Sequence, residues 1–313
     1  ITLNGNTGKQ NIDGNAALPT GVWVHVAVTL RGNVGTLYVN GSVSGTATIT
    51  IDPSQLGTTT NNYIGKSQFS TDPYLNALVD DFRVYYRALP IDQIVSLSQR
   101  LSVYLKFDES SGSTAADSSG NGNSGTLVGN VTFLTGVSGK ALALDGNSSF
   151  VNLTNSATLL ANLSDFTISS WVYLKSAQQW ARLFDFGFNT SRYMMFTPAD
   201  DGDSPKFTIY NGNDNAVWAN QGTVDLPVGK WTHVAITLQV NVLTIYFNAT
   251  LTGQDDIDVA PNQIYGTDIP ASNYIGRSQS SSDPYLNATV EDFRLYNGAF
   301  SAAQVAALYN KQI

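Results

Sequence analysis

The dominant signal along the chain is an alternation of apolar and polar positions with a period of two. That is the side-chain repeat of a half-buried β-strand. In GKWTHVAITL (229–238), Trp231, His233 and Ala235 fall on one face and Thr232, Val234 and Ile236 on the other. FTISSWVYL (166–174) and VLTIYF (242–247) are rich in the β-branched and aromatic residues that suit a pleated surface. Asn40-Gly41, after Leu37-Tyr38-Val39, predicts a hairpin turn, because both residues tolerate positive φ. Apolar residues at helical spacing occur in Pro90–Ser98 and Ser301–Tyr309, with Ser301 placed as an N-cap. Many short strands separated by turn signals predict an all-β, antiparallel sandwich.

The pattern is used twice. NYIGKSQFSTDPYLNALVDDFRVYYR (62–87) recurs as NYIGRSQSSSDPYLNATVEDFRLYNG (273–298). GVWVHVAVTL (21–30) recurs as GKWTHVAITL (229–238), and ALPIDQIVSLSQ (88–99) as AFSAAQVAALYN (299–310). Residues 103–206 have no counterpart. The sequence therefore reads as half a unit, 1–102, followed by a whole unit, 103–313. A sandwich is held by burial of the inner face of each sheet against the other. Half a unit leaves that face bare, so residues 1–102 are predicted not to fold alone. Trp23, Val26, Leu37, Tyr38, Ile64 and Phe82 are the apolar residues that need covering by a neighbouring chain or repeat.

The whole unit resembles the laminin-G-like, concanavalin A-like jelly-roll family. The resemblance is carried by YLKFDESSGSTAADSSGNGNSGTLVGN (104–130), GKALALDGNSSFVNL (139–153), FTISSWVYL (166–174), GKWTHVAITL (229–238), IYFNATLTG (245–253) and VEDFRLYNGAFSAAQVAALY (290–309). It covers nearly all of 103–313; the first hundred residues match only the C-terminal half of the pattern. The resemblance implies tandem two-sheet jelly rolls. Function within the family spans glycan binding, adhesion, spacer modules of secreted enzymes and structural parts, so fold alone decides little.

Composition narrows the chemistry. The 313 residues carry a net charge of −8. Nucleic-acid affinity comes mainly from Lys and Arg neutralising phosphate, so that partner is excluded. Apolar runs fall short of the ~20 residues that span a bilayer. With no cysteine there is no disulfide framework, thiolate metal site or Cys nucleophile. The uncharged polar surface predicts an extracellular or cell-surface location. Of the 24 acidic residues, Glu109 and Glu291 are the only glutamates. Concanavalin-like glycosidases use paired Glu on one strand, and no strand here has two, so the chain reads as non-catalytic. Gly120-Asn-Gly122-Asn-Ser-Gly125 spells G-x-G-x-x-G, but a β pattern follows where a dinucleotide site needs a helix. His25 and His233 occupy equivalent mid-strand positions and read as structural, beside their strand's tryptophan.

Calcium is the favoured ligand, because it takes hard oxygen donors. Asp117, Asn121 and Asn123 lie in one loop; Asp108 lies upstream, and Asp292, with its equivalent Asp81, lies in a strand expected to run nearby. The same residues are also ordinary turn formers. Asp200-Asp201-Gly202-Asp203 is a rival loop. Trp218, among polar neighbours, is the candidate for stacking on a sugar ring, and Trp171 and Trp231 read as core. Among the N-x-[ST] sequons, Asn40, Asn248 and Asn287 are the candidate glycosylation sites. Two functions follow. One is a structural or adhesive protein whose units associate head-to-tail into a filament or surface array. The other is a carbohydrate-binding module of a larger secreted enzyme.

Overall fold

The computed structural model describes residues 1–3, 7–20, 24–98, 100–153, 159–161, 163–212, 217–220, 224–264 and 272–310. They form two compact units, Ile1–Gln99 and Arg100–Ile313. The boundary lies slightly before the 102/103 read from sequence. The reason is that Arg100–Leu105 is a strand of the second unit, paired with Ala288–Asn297.

The second unit is a sandwich of two eight-stranded antiparallel sheets. One runs Thr250–Asp256, Val242–Phe247, Trp231–Gln239, Phe166–Leu174, Ala288–Asn297, Lys140–Ala143, Thr132–Thr135, with Arg100–Leu105 also on Ala288–Asn297. The other runs Val217–Asn220, Lys206–Tyr210, Arg192–Thr197, Phe184–Phe188, Ser272–Ile275, Phe150–Asn152, Gly125–Val128, Thr114–Ala115. Alternation along each strand sends Phe166, Ile168 and Val172 from one sheet against Phe184, Phe186, Phe196 and Phe207 from the other. The reverse face of the first sheet is covered by the helix Ala302–Tyr309. Ala235, Tyr246, Tyr296, Phe300, Val305 and Leu308 form a second apolar cluster there. His233 sits at the same face, its ring 5.3 Å from Trp171 and 6.0 Å from Tyr309. Its aromatic neighbour is thus the in-register residue of the adjacent strand, not Trp231 of its own strand. Directly opposed cross-strand residues lie closer than residues two apart along one strand. Trp231 is half-buried beside Tyr173, at 5.7 Å.

The first unit repeats this geometry in detail. It has a three-stranded sheet, Val26–Arg31, Val34–Val39 and Ser42–Thr48, and a helix, Ile91–Ser98. The hairpin Asn has positive φ in both units, 48° at Asn40 and 50° at Asn248. Each accepts the backbone N–H of its histidine, His25 or His233, at 2.9 Å. Asp81 and Asp292 also share a left-handed backbone, at 52° and 58°. Leu75 N–H donates to Gly65 O, and Leu286 N–H to Gly276 O, both at 2.9 Å.

The two faces of the first unit's sheet differ. The helix-covered face keeps much of its packing: Tyr38 is 8% exposed against 7% for Tyr246, and Leu89 and Ile94 are buried like Phe300 and Val305, although Tyr85 is 44% exposed where Tyr296 is 8%. The opposite face is open away from the stretch where Ile12 and Ile49 lie close to Gly35. Val28 is 64% exposed where Ile236 is fully buried, Phe82 64% where Phe293 is fully buried, and Val84 80% where Leu295 is fully buried. Residues 77–86, the counterpart of the central strand Ala288–Asn297, pair with no strand among the described residues. Of the residues read as needing cover, Val26, Ile64 and Phe82 are exposed. Tyr38 is not: it lies on the outer face, under the helix, with Leu89 and Ile94. Leu37 is half-buried, and Trp23 lies outside the described residues. The segment around Gln10 covers part of the sheet; Gln10 Oε1 accepts Thr50 N–H at 2.7 Å and Ile51 N–H at 3.1 Å.

Candidate functional site

The acidic loop of the second unit is closed by its own donors. Asp117 Oδ1 accepts Tyr104 N–H at 3.0 Å and Ser119 N–H at 2.9 Å. Its Oδ2 accepts Asn123 N–H at 2.7 Å and the Ser119 hydroxyl at 2.8 Å. These bonds hold the Asp117 carboxyl below the usual range against the opposing effect of burial. Asn121 Nδ2 donates to Leu101 O at 2.7 Å, and Asn123 Nδ2 to Ser102 O at 2.9 Å. The loop thus fastens onto the strand Arg100–Leu105. Asp292 accepts the Tyr104 hydroxyl at 2.8 Å, and its other oxygen lies 3.5 Å from Arg294. Burial, ahead of these charges, pushes the Tyr104 phenol up to about 12. Asp108 accepts Lys140 N–H at 2.9 Å, and Asp81 pairs with Arg83 at 2.8 Å on an exposed surface. No group of three acidic or histidine side chains among the described residues is arranged to hold a metal. In the rival loop, Asp200 accepts Gly202 N–H at 2.8 Å and faces Lys206 at 3.4 Å.

The two glutamates tie loops. Glu109 accepts Ala116 N–H at 2.8 Å, and buried Glu291 accepts Val137 N–H at 2.5 Å and Ser138 N–H at 2.7 Å. Gly120 and Gly122 have positive φ with open space around them, and Gly125 begins a strand, as the β pattern required.

The richest polar constellation lies on the second sheet, on the side away from the core. Register places Tyr274, Asp185, Met195, Thr208 and Trp218 in one row across five strands. Tyr193 and Tyr210 form the next row, their rings 6.0 Å apart. The Trp218 side chain lies outside the described residues. Near this face Arg182 pairs with Asp283 at 2.8 Å and lies 3.7 Å from Asp185. Asp283 also accepts the Ser278 hydroxyl at 2.8 Å, and Asp185 accepts Gln279 N–H at 3.0 Å. Asp185 is almost wholly buried, and burial, outweighing these donors and Arg182, pushes its carboxyl up to about 7. Half-buried Trp180 completes the group. Arg182 lies 5.2 Å and Lys206 5.3 Å from its ring centroid, and its indole N–H donates to Asp201 at 2.5 Å. An aromatic ring flanked by cations and carboxylates offers an apolar platform beside hydrogen-bonding groups, the pairing a sugar requires.

Sequence reasoning pointed to Trp218, left Trp180 undecided between core and surface, and passed over Arg182 and Asp185. The available signal was FDFGF (184–188), where one Asp interrupts a run of phenylalanines and must face away from them. Its closure by Ser278–Asp283 is a long-range contact that local pattern does not carry. Among the sequon residues, Asn40 and Asn248 are exposed at their hairpin turns. Asn287 is half-buried, its Nδ2 donating to Ser176 at 3.2 Å.

Comparison with known proteins agrees with this architecture. No curated protein matches the chain by sequence. Domain 4 of AbnA, an extracellular GH43 arabinanase from Geobacillus stearothermophilus solved with arabinotriose, is 22% identical. The match covers 67% of this chain and 98% of that one, with a TM-score of 0.57. The receptor-binding domain of botulinum neurotoxin C/D mosaic serotype is 14% identical over 68% of this chain and 51% of that one, at 0.50. The binding domain of botulinum neurotoxin DC, solved with rat synaptotagmin II, is 16% identical over 68% and 52%, also at 0.50. These likenesses speak to fold. A laminin-G family model, described as the concanavalin A-like lectin/glucanases superfamily, matches residues 1–95 and 145–306, most of the first unit and the larger part of the second. The chain belongs to that superfamily.

Proposed function

We propose that the chain is a non-catalytic, extracellular carbohydrate-binding protein, and that its second unit binds an oligosaccharide at Trp180, beside the sheet containing Phe184–Phe188. The observation that carries this reading is Trp180, half-buried and flanked by Arg182 and Lys206. The similarity to a domain solved with arabinotriose, in an extracellular arabinanase, supports the choice of ligand class and compartment. Titration calorimetry with arabinotriose, followed by a panel of β-glucan, galactan and mannan oligosaccharides, tests it. Binding by the full chain is expected to fall ~5- to 30-fold in Trp180→Ala, since loss of an aromatic stacking surface of this kind costs roughly 1–2 kcal/mol. No binding to any member, or binding unchanged by Trp180→Ala together with Trp218→Ala, refutes it.

The open face of the first unit favours a second reading, a structural or adhesive role by head-to-tail self-association. Sedimentation of the full chain checks it: filaments or concentration-dependent growth support it, and a monomer at all concentrations opposes it. A structural calcium ion at Asp117, Asn121 and Asp292 is compatible with either role. It would have to replace N–H and O–H donors already on Asp117. Such an ion, bound to the folded state alone, adds ~2.7 kcal/mol at one hundred times its Kd. EDTA would then lower the Tm, and an unchanged Tm removes calcium from the account.

A further inference from the structure

We propose that the oligosaccharide held at Trp180 is acidic, and that Arg277 receives its carboxylate or sulfate group. The proposal rests on the Trp180 reading above and adds to it the charge of the ligand.

Arg277 is set differently from Arg182 and Arg294. Those two face carboxylates: Arg182 pairs with Asp283 at 2.8 Å, and Arg294 lies 3.5 Å from Asp292. The Arg277 guanidinium meets rings instead. It lies 4.9 Å from the Phe150 ring, 4.9 Å from Tyr274 and 6.0 Å from Tyr285. Among the described residues it makes no ion pair and no hydrogen bond. Strand register assembles this aromatic seat. Phe150 and Asn152 share one face of their strand, and Asn152 is directly opposite Tyr274. Phe150 then packs 5.4 Å from Tyr274 and 6.0 Å from Tyr285.

Stacking uses the face of the guanidinium plane and leaves its edge. That edge carries N–H donors and no acceptor. The side chain is half-buried, so water serves those donors only in part. The rings also fix the plane before a ligand arrives, so less freedom is lost on binding. The fork matches two oxygens of one carboxylate or sulfate, and such a charge-assisted pair is stronger than a bond to a neutral hydroxyl. The chain has a net charge of −8, so this cation is a local feature and not part of a basic surface.

Short steps lead from Arg277 to Trp180. Tyr274 is directly opposite Asp185 on the next strand. Asp185 lies 3.7 Å from Arg182, whose guanidinium lies 5.2 Å from the Trp180 ring. The loop between them is tied as well: Ser278, next to Arg277, donates to Asp283, the partner of Arg182, at 2.8 Å. The other cation at Trp180, Lys206, lies 3.4 Å from Asp200. Arg182 and Lys206 are thus matched by carboxylates, and Arg277 is the cation left for the ligand. In the first unit its counterpart is Lys66, 4.6 Å from Tyr63 and 6.0 Å from Tyr74. Lys66 has no planar fork and belongs to the unit without Trp180, so it provides an internal control.

Calorimetry on the full chain tests the proposal in two arms. One compares trigalacturonate with its methyl ester; the other compares sulfated carrageenan oligosaccharides with their desulfated form. In one arm the charged form is expected to bind at least ~10-fold tighter, and that arm names the anionic group. The preference shrinks as salt is added. Arg277→Met, which keeps an apolar stem on the rings, removes it. Arg277→Lys keeps part of it, and Lys66→Met leaves it whole. Equal affinity for charged and neutral forms in both arms overturns the proposal, as does a preference that survives Arg277→Met. Absence of binding in both arms overturns it too. Failure of the Trp180 reading looks different. Neutral-sugar binding lost in Trp180→Ala, with no acid preference, overturns the role of Arg277 alone. An acid preference lost in Arg277→Met, with affinity unmoved by Trp180→Ala, overturns the Trp180 platform and keeps Arg277 as the anion site.

Discussion

At the residue scale, Asp185 carries the most informative titration. Burial raises its carboxyl to about 7 from the ordinary 3.8. The folded state therefore holds the proton more tightly than the unfolded chain. Asp185 favours folding most below pH 4, and that advantage is lost as pH rises towards 7. Each tenfold gain in proton affinity corresponds to ~1.4 kcal/mol, so the loss is on the order of 4 kcal/mol at most. Asp185→Asn keeps the shape and abolishes the charge. Its Tm relative to wild type should rise between pH 4 and pH 8, as read by thermal melts across that range. A difference independent of pH would show that Asp185 is not ionising in this window. Asn40 and Asn248 illustrate a second point. Their side-chain oxygens are spent on the His25 and His233 amides, while the residues stay exposed. Glycan attachment at the amide nitrogen is compatible with the turn. Peptide mass spectrometry of material from an N-glycosylating host should find these two occupied before Asn287, whose nitrogen is tied to Ser176.

At the scale of the element, the helix Ala302–Tyr309 is fixed by a reciprocal cap. Ser301 N–H donates to Gln304 Oε1 at 2.7 Å, and Gln304 N–H donates back to Ser301 Oγ at 3.4 Å. Ser301→Ala should cost about 1 kcal/mol, which lowers the Tm of a unit this size by ~2–4 °C. Scanning calorimetry of the full chain checks it; no shift would mean the helix is held by Phe300, Val305 and Leu308 alone. Elements of this kind were legible in the sequence. The period-two strands 166–174, 231–239 and 242–247, the Asn40-Gly41 turn and both helices stand where the pattern placed them. Contacts between elements were less legible. Tyr38 alternates as an inner-face residue would, but which face meets a helix depends on a segment some fifty residues downstream. Asp117 and Asn121 have the chemistry of a calcium loop, and only the fold shows that the Asp117 oxygens accept Tyr104 N–H from the neighbouring strand and Ser119 and Asn123 N–H from their own loop.

At the scale of the molecule, one sequence pattern sits in two environments. In the second unit it is half of a closed sandwich; in the first its inner face is open. Val28, Ile64, Val79, Phe82 and Val84 are all exposed, and their counterparts Ile236, Ile275, Val290, Phe293 and Leu295 are fully buried or nearly so. Full burial of such side chains is worth roughly 1.5–3 kcal/mol each. Five of them together rival the ~5–15 kcal/mol stability of a whole domain. The first unit keeps only its helix-side cluster and hairpins, so it should unfold at lower temperature than the second. The most direct measurement is hydrogen exchange on the unmodified full chain, comparing 77–86 with its repeat counterpart 288–297, identical at six of ten positions. The account predicts fast exchange at 77–86 and strong protection at 288–297. Equal protection of the two segments in a monomer would contradict it.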